Sequence, residues 1–152
     1  MIIGVRIALD FGSVRIGVAK CDAEGLLATP LITISAGPNA VEQVCELAQE
    51  HQAICIYIGK PISLAGKDTA STQSAVEFAR EVAEILKDST TQVRLIDERY
   101  SSVSAQRGMH EAGRNVKQSR EAIDQAAAVV ILDHALASEK NSGTLVGEEV
   151  KL

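Results

Sequence analysis

The sequence predicts an α/β domain in which a mixed sheet is covered by helices. Three observations carry this: an alternating opening run, two short continuous apolar runs, and helical spacing between and after them. Ile3, Val5, Ile7 and Leu9 alternate with Gly4, Arg6, Ala8 and Asp10, the period-two pattern of a strand with one strongly apolar face. Ile54 to Ile58 and Val93 to Ile96 read as buried strands, and spacings of three and four recur around 41–48, 72–86 and 119–136. Consecutive strands followed by alternating helices and strands pack most simply as one mixed sheet.

Each element has its own justification. Gly12 and Ser13 supply turn chemistry after Asp10, and Ile16 and Val18 begin a second strand, so residues 3–21 read as an antiparallel hairpin. A turn at Glu24-Gly25 leads into a third strand over 26–34, where Pro30 calls for an edge position. Asn39 with Glu42 three residues on reads as a capping box for a helix burying Val41, Val44, Cys45 and Ala48. Gly59 to Thr69 is expected to be a loop, and Thr72 to Leu86 a helix. A weakly amphipathic stretch covers 103–111, a polar loop 112–118, and an Ala-rich helix runs from about Ser119 to Leu136. Residues 1–137 then form the folded domain, and the polar, aperiodic segment 138–152 is expected to be a flexible tail.

The composition bounds the function. At 152 residues the chain fits one domain, and a domain of this size buries about 68–70% of its unfolded surface without disulfides or structural metal. Aromatic residues make up only 3%, with no Trp, which argues against a platform that stacks successive single-stranded bases. Fifteen basic against 20 acidic residues give −5, so any contact with phosphate backbones must be local. Cys21, Cys45 and Cys55 form no CxxC pair and read as reduced cytosolic thiols. No apolar run approaches a membrane span of about 18 residues, and no signal-peptide pattern opens the chain, so a cytoplasmic location is expected.

Asp10, the Asp97-Glu98 pair and Asp124 stand out because each lies at the end of a buried element, where a charge needs a reason. Each also has an ordinary explanation: a turn residue before Gly12, local pairing with Arg99, and a charge favourable to a helix N-terminus. If the strands ending at Asp10 and Asp97 are parallel neighbours, their acids converge at the carboxyl edge of the sheet, with Asp124 completing the group. Clustered carboxylates repel unless a cation neutralises them, and oxygen-only donors favour Mg²⁺ or Mn²⁺. Such a site suits hydrolysis of a phosphodiester bond.

Other motifs lead nowhere. Gly66-Lys67 resembles the end of a P-loop, but Pro61 stands at the first Gly position and Asp68 follows the Lys. His51, His110 and His134 lack metal spacing, and Ser101, Ser102 and Ser104 have no nearby base.

Four blocks in order, ALDFGSVRIGVA, IYIGKPISLAGKDTAST, IDERYSSVSA and IDQAAAVVIL, resemble the YqgF/RuvX family of ribonuclease H-like proteins, over roughly residues 5–136. That family is implicated in trimming the 5′ end of pre-16S ribosomal RNA and was earlier described as Holliday junction resolvases. The resemblance implies a ribonuclease H-like fold with a mixed five-stranded sheet flanked by helices. It also implies a metal-holding catalytic set of Asp10, Glu98 and Asp124, with Asp97 the alternative to Glu98. The usual GLP of the middle block is here Gly59-Lys60-Pro61, which adds Lys60 as a phosphate contact.

Local charge suits such a site. Arg94, Arg99, Arg107, Arg114, Lys117 and Arg120 stand against Asp97, Glu98 and Glu111, a basic rim around an acidic centre. Arg114, Lys117 and Arg120 are the preferred phosphate contacts, while Arg15 and Arg99 either orient phosphate or pair with a carboxylate. The expected partner is structured pre-ribosomal RNA, alone or in ribosomal precursor particles, with junction DNA as the alternative and no membrane. A monomer suffices to trim one end, whereas symmetric junction cleavage calls for a homodimer. Two further readings compete. Asp10-Phe11-Gly12-Ser13 also resembles the phosphate loop of actin-like and sugar-kinase ATPases, which need a second such domain. A non-catalytic RNA-binding assembly factor could also retain the fold.

Overall fold

A computed structural model of the protein describes residues 2–61, 69–97 and 116–152, with the backbone alone for 116–119. The elements run β1 (Arg6–Phe11), β2 (Arg15–Cys21), β3 (Ala28–Ser35), α1 (Ala40–Glu50), β4 (Cys55–Lys60), α2 (Ala70–Ile85), β5 (Gln92–Asp97), α3 (Val116–Ser142) and β6 (Glu148–Glu149). The sheet order is β3-β2-β1-β4-β5-β6. β4 pairs parallel to both β1 and β5, and the other neighbours are antiparallel.

Alternation along the strands creates two cores. Ile7, Leu9, Ile16, Val18, Ile56, Ile58, Val93 and Leu95 face α1 and α2 and pack on Val44, Ala48, Phe78 and Val82. Ala8, Ala19, Tyr57 and Ile96 face α3 and pack on Ala127, Ala128, Ile131 and Leu132. In the middle of the α3 face Ala8 on β1 and Gly17 and Ala19 on β2 are small, so the helix lies close to the sheet there. Gly17 marks the closest approach: a Cβ built there would overlap the carbonyl oxygen of Asp124.

Two ion pairs hold α3 to the sheet. Near its start, Arg15 Nε lies 2.8 Å from Asp124 Oδ2. About 22 Å further along the helix axis, at 1.5 Å per residue, Arg6 Nη2 lies 2.8 Å from Glu139 Oε1, and both side chains are only 4% exposed. Tyr57 Oη donates to Glu139 Oε2 at 2.7 Å and accepts the Val146 amide at 3.2 Å.

Several sequence expectations need correction. Among the described residues the sheet has six strands, because the segment expected to be a flexible tail continues α3 to Ser142 and then pairs Glu148–Glu149 with Leu95 and Arg94 of β5. Glu139 explains the longer helix: its polarity reads as surface, but Arg6 and Tyr57 compensate its charge in the interior. Asn39 precedes α1 without a side-chain cap, so no capping box forms there. The box forms at α2, where the Thr69 hydroxyl accepts the Thr72 amide at 3.2 Å and the Thr72 hydroxyl accepts the Thr69 amide at 3.0 Å. Thr72 also donates to the Pro61 carbonyl, tying the start of α2 to the end of β4. Pro30 does lie in an edge strand, paired with Ala19 on one side only. The segments 103–111 and 112–115 lie outside the described residues, as does Gly66-Lys67.

Candidate active site

The site is built from the carboxyl end of β1 upward. Arg6, Ala8 and Asp10 share one face of β1, the face that meets α3. Asp10 is 4% exposed, so a charged group sits at the rim of an apolar core. It pairs across the sheet with Gly17, and directly opposite residues of antiparallel strands point to the same side. The Asp124 backbone packs on Gly17, so the register puts Asp10 and the Asp124 backbone on the same face of the sheet, one strand apart. A side chain at 17 would hold the helix away from β2.

Arg15 occupies the next position toward the rim on the same face of β2. Its contact with Asp124 is through Nε, and the side chains are 31% and 14% exposed for Arg15 and Asp124. A guanidinium carries five N–H donors. No other hydrogen bond of Arg15 is formed within the described residues, which leaves donors facing the open rim.

Asp97 ends β5 in register with Lys60. It follows Ile96, which faces α3, and is in phase with Val93 and Leu95, which face α1 and α2. Alternation therefore puts Asp97 on the side of the sheet away from Asp10. Glu98, Arg99 and Arg114 lie outside the described residues, and Lys117 is described by its backbone in α3 alone. Arg120 is exposed on α3, one turn before Asp124. Lys60 is largely covered and lies 3.8 Å from Glu148.

Among the described residues no three His, Cys, Asp or Glu side chains assemble into a metal-holding group. The described part of the proposed cluster is the carboxylate pair Asp10 and Asp124. Their donor chemistry, oxygen only, fits a hard divalent cation. His51 sits at the end of α1, remote in the chain from both acids, and His110 lies outside the described residues. No helix among the described residues is long and apolar enough to cross a membrane.

Gly17 had escaped the sequence reading. The available signal was a glycine in mid-strand opposite a buried acid, which marks a close backbone approach.

Comparison with known proteins agrees with this architecture. A relative from Clavibacter sepedonicus named "Putative pre-16S rRNA nuclease" is 42% identical over 150 residues, covering 97% of this chain and 91% of that protein. One of the same name from Streptomyces avermitilis is 41% identical over 151 residues, 98% of this chain and 96% of the other. Among solved structures, T. thermophilus RuvC in complex with a Holliday junction substrate superposes with a TM-score of 0.56 at 15% identity, over 96% of this chain and 99% of that one. The fowlpox virus resolvase bound to junction DNA gives 0.51 at 10% identity, over 91% and 97% of the two chains. At such identities the likeness is one of fold, and the fold is ribonuclease H-like. The RuvX family profile, described as Holliday junction resolvase, matches residues 4–138, a span that holds Asp10, Arg15, Gly17 and Asp124, and the chain belongs to that family.

Proposed function

We propose that the protein is a divalent-metal-dependent nuclease that hydrolyses phosphodiester bonds in structured RNA, processing the 5′ end of pre-16S ribosomal RNA. The observation that carries this is buried Asp10 opposite Gly17, the residue on which the Asp124 backbone packs, at the carboxyl end of β1. The names of relatives at about 40% identity over almost the whole chain supply the substrate.

Asp10, Asp124 and Glu98 are the proposed ligand set for Mg²⁺ or Mn²⁺. Glu98 is preferred to Asp97 because Asp97 is in phase with Val93 and Leu95, on the face of the sheet away from Asp10. A bound ion of this class supplies a water activated for attack and charge neutralisation at the leaving oxygen. The chain's own groups do the rest. Asp10 and Asp124 are held in place by burial and by Gly17, so they need little reorganisation on binding. Arg15, with donors to spare at the rim, takes a phosphate oxygen beside them. Arg99, Arg114, Lys117 and Arg120 are the further proposed phosphate contacts.

The test is cleavage of a labelled pre-16S 5′-leader RNA beside a mobile four-way DNA junction, with Mg²⁺ or Mn²⁺, for wild type and Asp10→Asn. Metal-dependent cutting of the RNA that disappears in Asp10→Asn is expected. If RNA binds but neither substrate is cut, the enzyme reading fails and a non-catalytic assembly factor replaces it. The description of the RuvX family favours junction DNA as the second reading. Mass on substrate by light scattering separates the two, since a strict monomer on the junction weighs against paired, symmetric cuts.

A further inference from the structure

The chain's two phenylalanines, Phe11 and Phe78, meet with ring centroids 4.8 Å apart and planes tilted by 39°. They line a cavity of about 580 Å³ between the β1–β2 turn, the start of α1 and the first turns of α2. Nothing in the proposed hydrolysis uses this space. Its volume lies within the range of small-ligand sites, roughly 300–1,000 Å³.

Position and lining together indicate what fits. Phe11 directly follows Asp10, so its ring faces α1 and α2 while the carboxylate faces α3. Cavity and acids thus share the same rim of the sheet, on either side of β1. The lining combines aromatic and aliphatic residues with the polar Ser13, Ser71, Ser74 and Glu81. A flat heterocycle with an apolar face and a polar edge matches that mixture. Glu81 is exposed and, when ionised, only accepts hydrogen bonds. It selects an edge rich in N–H donors: guanine offers two adjacent ones, at N1 and the exocyclic amine, whereas uracil offers one.

We infer that this cavity receives one unstacked base, preferably guanine, of the strand whose phosphate lies at Asp10. The inference rests on the proposed nuclease reading and adds a specificity site to it. A base held in a duplex stack cannot enter, so the cavity favours unpaired segments.

The test is fluorescence anisotropy with three labelled probes: a uridine 12-mer, the same strand with one central guanosine, and a 12-base-pair RNA duplex. Ca²⁺ replaces Mg²⁺, and strand integrity is checked on a gel. Wild type should bind the guanosine strand about tenfold more tightly than the uridine strand, the size of one additional hydrogen bond to a charged group. Ser74→Trp, which plugs the cavity from an exposed helix position, should erase that difference and leave duplex binding and thermal unfolding unchanged. Glu81→Gln, which keeps the shape, should lose the guanine preference while binding the uridine strand as before. Wild-type discrimination in both variants, or no discrimination in the wild type, overturns the base pocket alone. If the wild type binds none of the three probes, the nuclease reading falls with it.

Discussion

Arg15 Nε and Asp124 Oδ2, 2.8 Å apart, join β2 to α3 at the open rim of the candidate site. The pair at the other end of α3, Arg6 with Glu139, is closed off from solvent. The difference in exposure separates their roles: a partly exposed pair can exchange partners when a cation or a phosphate arrives, whereas a buried pair cannot do so cheaply.

Replacing Arg15 with Ala therefore has two opposite effects. Asp124 loses its counter-cation, so Mn²⁺ binding measured by titration calorimetry should tighten several-fold. Phosphate loses a donor, so RNA affinity should fall and the slope of log affinity against log salt should decrease by about one. Unchanged Mn²⁺ affinity would show that Arg15 does not compensate Asp124.

Gly17→Ala should destabilise the fold by about 1–3 kcal/mol, because the added methyl meets helix backbone rather than a yielding side chain. The loss of cleavage should exceed the loss of folded protein, since α3 must shift at Asp124. Circular dichroism melting beside a cleavage assay at a temperature where both proteins are folded checks this. Equal activity per folded molecule would limit Gly17 to packing.

Breaking the buried pair should cost more. Glu139→Ala leaves Arg6 charged in the interior, and Arg6 Nε already has no hydrogen-bond partner among the described residues. The expected loss is about 3–5 kcal/mol in urea unfolding. Tyr57→Phe removes the hydroxyl that joins Glu139 to the Val146 amide and should cost about 1 kcal/mol.

Alkaline pH should destabilise the protein through its thiols. Burial pushes the Cys45 thiol up to about 11 and raises Cys55 and Cys21 as well. Above pH 9 the unfolded chain releases protons that the folded chain keeps. The stability that Cys45 contributes is fully present below pH 9 and is lost as pH rises through about 11. Unfolding curves at pH 8, 9.5 and 11 for wild type and Cys45→Ala test this, and an equal alkaline slope in both would remove Cys45 as the cause.

What the sequence revealed follows the range of the interactions involved. The β1–β2 hairpin and the edge position of β3 were legible because alternation and Pro30 are local signals. The capping box was misplaced because Asn39 and Glu42 match the usual letters, whereas Thr69 and Thr72 form the box with a threonine at the third position. Glu139 was read as tail because its partner Arg6 is 133 residues away in the chain. At the site, Asp10 and Asp124 were singled out by position and resemblance. The sequence could not reveal that Gly17 lies opposite Asp10 and beneath the Asp124 backbone, because that depends on the register of β2 against β1.

The two-residue strand β6 has a consequence for association. β5 would otherwise present unpaired backbone groups along its outer side, a template for joining another chain. Gly147, at φ +75°, lets the segment turn in close to the Leu95 carbonyl, and Glu148 and Glu149 then form a new margin that is short and negatively charged. At the opposite margin Pro30 lacks an amide to donate. One margin is short and charged and the other is interrupted at Pro30, so stacking into ribbons or aggregates is discouraged at both ends.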